Sequence, residues 1–472
     1  MSLALVQRTD APVTPLERLE LLCDRGTLQL IRTEVSSPAM GEKARNGDGV
    51  LGGSGMVAGR PVFCYAQDSK FVGGSLGEQH ANTITRVLEL ADRGRAPVVG
   101  FVSSGGARMQ EGIAALGGYG RIFQRTVALS GRVPQISIVS GLSAGGGAYS
   151  PALTDWIVMT EQSSMFLTGP AVVRDALGEQ VDAEELGGTR VHGRNGVCHF
   201  VARDDFDSAA LARELLSYLP SHRDFEPPRA EPRPAGGHDP GEAVPRESRK
   251  VYDVRTVIRA VVDDGELLEI SAGWARNIVT AMARIDGRPV GVIANQPRYL
   301  GGVLDVASSE KGAQFVSKCN KFGIPLLVLV DTPGYMPGTR QESAGVIRHG
   351  AALVHAFAES TVPRVTVILR KAFGGAYITM NSKDLGADYV FAWPDAQIGV
   401  MGARPAVGII HRRELAAADD PDTERDRLAS QYAHQQLRPQ VAAGSGYIDE
   451  LIEPADTRAR LAWAFASMSG SR

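Results

Sequence analysis

Cysteine is scarce. The 472-residue chain has four, Cys23, Cys64, Cys198 and Cys319, spread along its length with no C-x-x-C pair. That excludes a zinc ribbon and gives no disulfide framework, so each is read as a small buried hydrophobe, no metal is expected, and a reducing cytoplasm is the expected setting. No uncharged apolar stretch reaches the roughly 20 residues that cross a bilayer, and the N-terminus shows no basic-then-apolar signal segment, so no membrane association is expected. Neither sign of charge is in excess. A net charge of -3 argues against a nucleic-acid surface and against an acidic tail. The usual nucleophile and metal motifs are not read as a site either: no serine elbow, no H-E-x-x-H, no P-loop. His349 and His355 fall off ligand spacing and are read as satisfied or exposed. Asp204-Asp205 and Asp263-Asp264 are read as solvated loop charges.

What the chain does have is glycine, 54 residues of it, much of it clustered beside β-type runs. A hydrophobic fraction of 43% and a charged fraction of 22% are those of a globular protein, and the length is enough for two cores. Residues 1–12 read as a loose leader. A short docking helix follows, with Thr14 as cap, Pro15 at its first position and Glu17 in the first turn. Residues 33–50 are polar and irregular. From Gly52 to about Asp155 strands and helices alternate, with right-handed crossovers expected. The stretches 98–102 and 135–139 are short apolar runs, as buried parallel strands are. Residues 226–246 are dense in proline, glycine and charge, which marks a linker. It divides the chain into domains 1–235 and 236–472. After it, 252–262 reads as a helix and the alternation restarts.

The halves repeat one another. Gly59-Arg60-Pro61-Val62 recurs as Gly287-Arg288-Pro289-Val290, and Gly73-Gly74-Ser75-Leu76 as Gly301-Gly302-Val303-Leu304, both 228 residues on. Pro97 recurs as Pro325 and Gly146-Gly147-Ala148-Tyr149 as Gly374-Gly375-Ala376-Tyr377 at that same shift of 228. Val133-Pro134 recurs as Val362-Pro363 with a slip of one residue. Four landmarks at one constant shift mean two copies of one α/β unit.

Each copy carries two glycine turns. In the first, the run ending at Ser103-Ser104 leads through Gly105-Gly106-Ala107-Arg108 into a helical pattern with Ile113, Leu116, Ile122, Phe123, Val127 and Leu129 on its apolar positions. A second turn, Ser143-Ala144-Gly145-Gly146, also opens a helix. The other copy has Asp331-Thr332-Pro333-Gly334 and Gly374-Gly375. A strand, a glycine turn and a helix start in succession aim backbone N–H groups into one space, where they can hold an anion or a developing oxyanion. Two such places in one chain suit a reaction between two carbonyl-bearing partners.

These residues resemble a known family. Ser104 to Gly112 (Ser-Gly-Gly-Ala-Arg-x-x-Glu-Gly), Ala148 to Leu153, Phe166 to Pro170, Asp331 to Gly338, Phe373 to Tyr377 and Met380-Asn381-Ser382 are similar to the carboxyltransferase (β) subunits of biotin-dependent acyl-CoA carboxylases, in order from about residue 15 onward. The resemblance is closest to the shorter actinobacterial acetyl-/propionyl-CoA carboxylase type. It implies two tandem crotonase-like domains of β-β-α superhelix, usually in a homo-hexamer with active sites between the N-domain of one subunit and the C-domain of another. It implies acyl-CoA on the first domain, with Gly145 and Gly146 holding the thioester oxygen and Gly105, Gly106, Ala107 and Arg108 lining the pocket. It implies carboxybiotin on the second, with Gly375 and Ala376 holding the ureido oxygen and Gly374, Tyr377 and Ile378 beside them. No side-chain base is then needed. The family often has Asp where this chain has Ile378, a position that influences acyl-chain preference, so Ile378 points to acetyl-CoA or a longer chain. A biotin-attachment Met-Lys-Met and an ATP-binding module are absent from the sequence, so a biotin carboxylase and a biotin carboxyl carrier subunit are the implied partners. A decarboxylase or transcarboxylase using the same site in reverse, and a scaffold that keeps only the fold, are the competing readings.

Overall fold

The structure, a computed structural model, describes residues 13–468; the leader read at 1–12 lies outside the described residues. The chain divides into two units, the first ending at Pro227 and the second starting at Pro228.

The first unit is built on one sheet. Its strands are β1 (Gln29–Ile31), β2 (Val50–Val57), β3 (Arg60–Gln67), β4 (Val98–Ser104), β5 (Gln135–Ala144), β6 (Trp156–Thr160), β7 (Ser164–Phe166) and β8 (Phe200–Ala202). The order is β1-β2-β3-β4-β5-β6-β8, with β7 alongside the end of β5. The pairs β1/β2 and β2/β3 are antiparallel and the pairs from β3 onward are parallel. The second unit repeats this strand for strand with β9 (Leu267–Ile270), β10 (Ile278–Ile285), β11 (Arg288–Asn295), β12 (Leu326–Thr332), β13 (Arg364–Phe373), β14 (Tyr389–Ala392), β15 (Gln397–Gly399) and β16 (Glu450–Leu451). The β2–β3 and β10–β11 hairpins each close on two residues with positive φ, Ala58-Gly59 and Asp286-Gly287. Such a tight turn matches the twist of the strands it joins. The supporting helices are α1 (Pro15–Leu22), α2 (Glu78–Gly94), α3 (Ile113–Leu129), α4 (Gly146–Ala152), α5 (Asp205–Tyr218), α6 (Val254–Val261), α7 (Val306–Lys321), α8 (Val346–Ala358) and α9 (Gly374–Thr379).

The repeat is not one uniform shift. Strands β2, β3 and β4 recur 228 residues later, but β5 recurs as β13 at 229, because the second crossover is one residue longer. The structural partner of Gly145 is therefore Gly374, with φ of +56° and +60°, and Gly146 corresponds to Gly375. The letter-for-letter match of Gly146-Gly147-Ala148-Tyr149 with Gly374-Gly375-Ala376-Tyr377 is one residue out of structural register.

All seven residues of β4 are buried, as are those of β12. Helix α2 puts Ile84, Val87 and Leu88 into the same core as Val50 and Tyr65. Helix α1 opens with the capping box of Thr14 and Glu17. The apolar spacing in 113–129 does give a helix, α3, but only part of its apolar set is covered. Ile122 and Leu129 are buried, whereas Ile113, Leu116 and Val127 are exposed. All four cysteines are free and buried. Among the described residues no helix is long and apolar enough to cross a membrane.

The proline-rich stretch contains the division between the units and is fastened to the second: the Ala230 N–H donates to the Gly287 carbonyl and the Asp264 N–H to the Pro234 carbonyl. Arg370 donates to the carbonyls of Pro245, Glu247 and Lys250. Asp263 is not solvated but buried, because it accepts the N–H groups of the Asp286-Gly287 turn and pairs with Arg458 at 2.7 Å. Asp204 caps α5 through the Asp207 N–H, and Asp205 pairs with Arg18 at 3.1 Å.

Lys311 of α7 is 3% exposed, and its Nζ donates to the carbonyls of Ser271, Trp274 and Ile278, each at 3.0 Å. Burial pushes its pKa down to about 7. The ammonium ties the loop before β10 to the helix beside it. Lys311→Met removes the donors; the Ser271 carbonyl keeps the Trp274 N–H, while the buried carbonyls of Trp274 and Ile278 lose the Lys311 donor, each at a cost of about 1–3 kcal/mol. Thermal unfolding of the full chain should show a lower midpoint for Lys311→Met, by several degrees.

Candidate active site: two pairs of glycine turns

In the first unit β4 delivers the chain to the site already clamped. The Ser103 N–H donates to Gln67 Oε1 at 3.0 Å. The Gly105 N–H donates to the Gly73 carbonyl at 3.0 Å, and the Gly106 N–H to Ser104 Oγ at 3.3 Å. Gly106 has φ of +100°, a conformation open to glycine. Leu76 then grips the segment on one side, donating to the Gly106 carbonyl at 2.8 Å and accepting the Arg108 N–H at 2.9 Å. The Ala107 N–H between them faces the other way. The second turn follows β5. The Gly145 N–H is used, donating to the Phe166 carbonyl at 3.0 Å. Helix α4 begins at Gly146, whose N–H, in the first turn, has no partner within the helix. The turns touch: a Cβ on Gly106 would lie 3.5 Å from the Ala144 carbonyl oxygen, and one on Gly147 would lie 3.0 Å from Ser104 Cβ.

The second unit repeats the arrangement. Asn295 Oδ1 accepts the Asp331 N–H at 3.3 Å, and the Gly334 N–H donates to Thr332 Oγ1, again at 3.3 Å. Leu304 donates to the Gly334 carbonyl at 3.0 Å and accepts the Met336 N–H at 2.7 Å. The Tyr335 N–H is thus left where Ala107 has its own. Pro333 stands where the first unit has Gly105, so a fixed φ replaces a hydrogen bond. Gly375 takes the place of Gly146 in α9. It is exposed, and nothing lies within 4 Å of where its Cβ would be.

Of the residues expected at the site, Gly105, Gly106, Ala107, Gly146, Gly374 and Gly375 gather at these turns. The Gly145 N–H is spent within the fold. Ala376 is 0% exposed, in the place that Gly147 occupies in the first unit. Tyr377 turns its ring into the second unit near Asp384 and Tyr447, and burial pushes its hydroxyl up to about 12. Ile378 is 51% exposed. Tyr335 was missed as a site residue, although the shift of 228 carries Ala107 onto it.

Arg108 is the largest departure. It is 0% exposed and holds the turn from behind. Its Nη1 meets Asp48 at 2.5 Å and Glu111 at 2.8 Å, and its Nη2 donates to the carbonyls of Asp48 and Ser75. Burial pushes the Asp48 carboxyl up despite the guanidinium. Burial also acts to raise that of Glu111, but the Glu78 N–H, Ser37 and Arg108 outweigh it and hold Glu111 low. The letters G-x-S-x-G do occur, at 73–77 and 141–145, yet neither is an elbow. The Ser143 hydroxyl is buried and donates to the Gly147 carbonyl, and Ser75 Oγ has no partner, so neither serine is bonded to a histidine.

Residues 7–470 match the carboxyl transferase domain. The chain belongs to the carboxyl transferase domain family. Its relatives include the propionyl-CoA carboxylase carboxyltransferase subunit of Haloferax mediterranei, 47% identical over 96% of this chain and 90% of that one. They also include the biotin-dependent acetyl-/propionyl-coenzyme A carboxylase beta5 subunit of Mycobacterium tuberculosis, 45% identical over 94% and 85%. The crystal structure of a transcarboxylase 12S hexamer with methylmalonyl-coenzyme A bound superposes with a TM-score of 0.94 at 45% identity, over 97% of this chain and 90% of that one. This carboxyl transferase is therefore an enzyme, and its two units are crotonase-like α/β domains, as the resemblance implied.

Within the carboxyl transferase, Arg108→Ala leaves two carboxylates buried without their partner, a loss of about 3–5 kcal/mol. We expect a lower melting temperature with activity falling in step. A variant that keeps its melting temperature and only raises the KM of a substrate would instead make Arg108 a substrate contact.

Proposed function

We propose that this chain moves a carboxyl group from carboxybiotin, held on a partner protein, to the α carbon of a short-chain acyl-CoA, converting acetyl-CoA to malonyl-CoA or propionyl-CoA to methylmalonyl-CoA. The observation that carries the reading is the duplicated pair of unspent amides: Ala107 and Gly146 in the first unit, Tyr335 and Gly375 in the second. Two N–H groups aimed at one oxygen stabilise the negative charge it gains, and a single such donor is worth about 3 kcal/mol. The transfer has two such oxygens, one on each partner. On the first unit, Gly146 and Ala107 hold the thioester oxygen, and Gly105, Gly106 and Gly145 shape the wall. On the second, Gly375 and Tyr335 hold the ureido oxygen, with Gly374 and the exposed Ile378 beside them. The open space at Gly375 leaves room for a flat ring against the amide. Biotin, when bound there, supplies the carboxyl group.

Ile378 is the residue we assign to acyl-chain preference, toward acetyl-CoA or a longer chain. Biotin carboxylase and biotin carboxyl carrier subunits are the partners we propose, a homo-hexamer the assembly, and the cytoplasm the location. The likeness to a transcarboxylase with methylmalonyl-coenzyme A bound favours a second reading, in which the carboxyl donor is itself an acyl-CoA and the same amides work in reverse.

The test is carboxylation by the purified chain with a biotin carboxylase and carrier partner, ATP, bicarbonate and acetyl-, propionyl- or butyryl-CoA. Product from acetyl- or propionyl-CoA is expected. No product, together with biotin-dependent CO2 loss from malonyl-CoA, would point to the decarboxylase. Gly375→Val has room for its side chain, so it should fold and melt like the parent while losing about 100-fold or more in rate. A folded Gly375→Val with full activity would remove Gly375 from the site.

A further inference from the structure

Neither pair of amides is held by the sheet alone. In the first unit one side chain touches both donor-bearing turns. The Tyr119 hydroxyl lies 3.0 Å from Ser104 Oγ, the atom that accepts the Gly106 N–H. The Tyr119 ring lies under Gly146, where a Cβ would come within 2.8 Å of three of its carbons. Tyr119 is 5% exposed, so it supports the turns without reaching into the space they face. The second unit has a matching link from a different place. Tyr335, itself in the first turn, donates to Thr379 Oγ1 at 3.1 Å, and Thr379 donates to the Gly375 carbonyl at 2.9 Å. Gly350 of α8 gives the Tyr335 ring its room, since a Cβ there would lie 2.8 Å from the hydroxyl. The position that corresponds to Tyr335 in the first unit is Ala107, so the two tyrosines are not copies of one ancestral residue.

We propose that Tyr119 and Tyr335 are positioning residues, one for each half-site, and that each sets the spacing between its pair of amide donors through a hydroxyl-to-hydroxyl link. The inference rests on the carboxyl-transfer reading above. Amides that are mis-spaced by a fraction of an ångström still admit the ligand but match the charged oxygen less well, so rate suffers before binding does.

The test uses the full chain with its biotin-bearing partner and measures kcat and KM for acyl-CoA, and for free biotin in the reverse direction. Tyr119→Phe and Ser104→Ala should each lower kcat about tenfold with either KM within about twofold. The double variant should be no worse than either single one, because one link is being cut twice. Ser104→Thr should keep near-parental kcat, since Thr332 makes the same bond in the second unit. Tyr335→Phe and Thr379→Val should show the same non-additive pattern. Parental kcat in Tyr119→Phe, or losses that multiply in the double variants, would overturn the proposal. If the parent chain transfers no carboxyl group with any donor, the functional reading fails; if the parent is active and Tyr119→Phe is its equal, only this inference fails.

Discussion

A backbone N–H kept free of any protein acceptor is the constraint on which this molecule turns. An unmatched amide costs free energy when it is shielded from water, so a fold tends to use up such groups. Here the neighbours of each free donor are used up on purpose. Gly105, Gly106, Arg108 and Gly145 all give their N–H groups to named acceptors, and what is left over is Ala107 and Gly146. The strand-end clamps from Gln67 and Asn295, the grip of Leu76 and Leu304, and the buried Arg108 ion pairs all hold the turns rigid enough for the remainder to stay open.

The broad architecture was plain in the chain's own repetition. Constant spacing gave two copies, and short apolar runs gave the buried parallel strands. The glycine clusters marked the turns. The finer detail was hidden where letters and register part company. A crossover longer by one residue moves Gly145 onto Gly374, so the letter match of Gly146 with Gly374 is one residue out. The resemblance put Arg108 among the pocket-lining residues, whereas the fold buries it. Asp48, which neutralises it from a position 60 residues earlier, left no local sign. Asp263 read as solvent-facing because two adjacent acids are usually so, and nothing near it announced Arg458.

The two units show how far copies can diverge while preserving a geometry. Pro333 stiffens by its ring what Gly105 secures with a hydrogen bond. Thr332 replaces Ser104 and accepts the same N–H at the same 3.3 Å. What persists is the position of two donors, while the supporting residues have been exchanged for others that reach the same end.

The contrast between Gly146 and Gly375 carries a consequence for how such a chain drifts. Gly146 is hemmed in by an aromatic ring, so any side chain there disturbs folding as well as chemistry. Gly375 faces empty space, so the fold itself exerts no pressure to keep it. A substitution at 375 can therefore be read apart from stability, whereas one at 146 cannot.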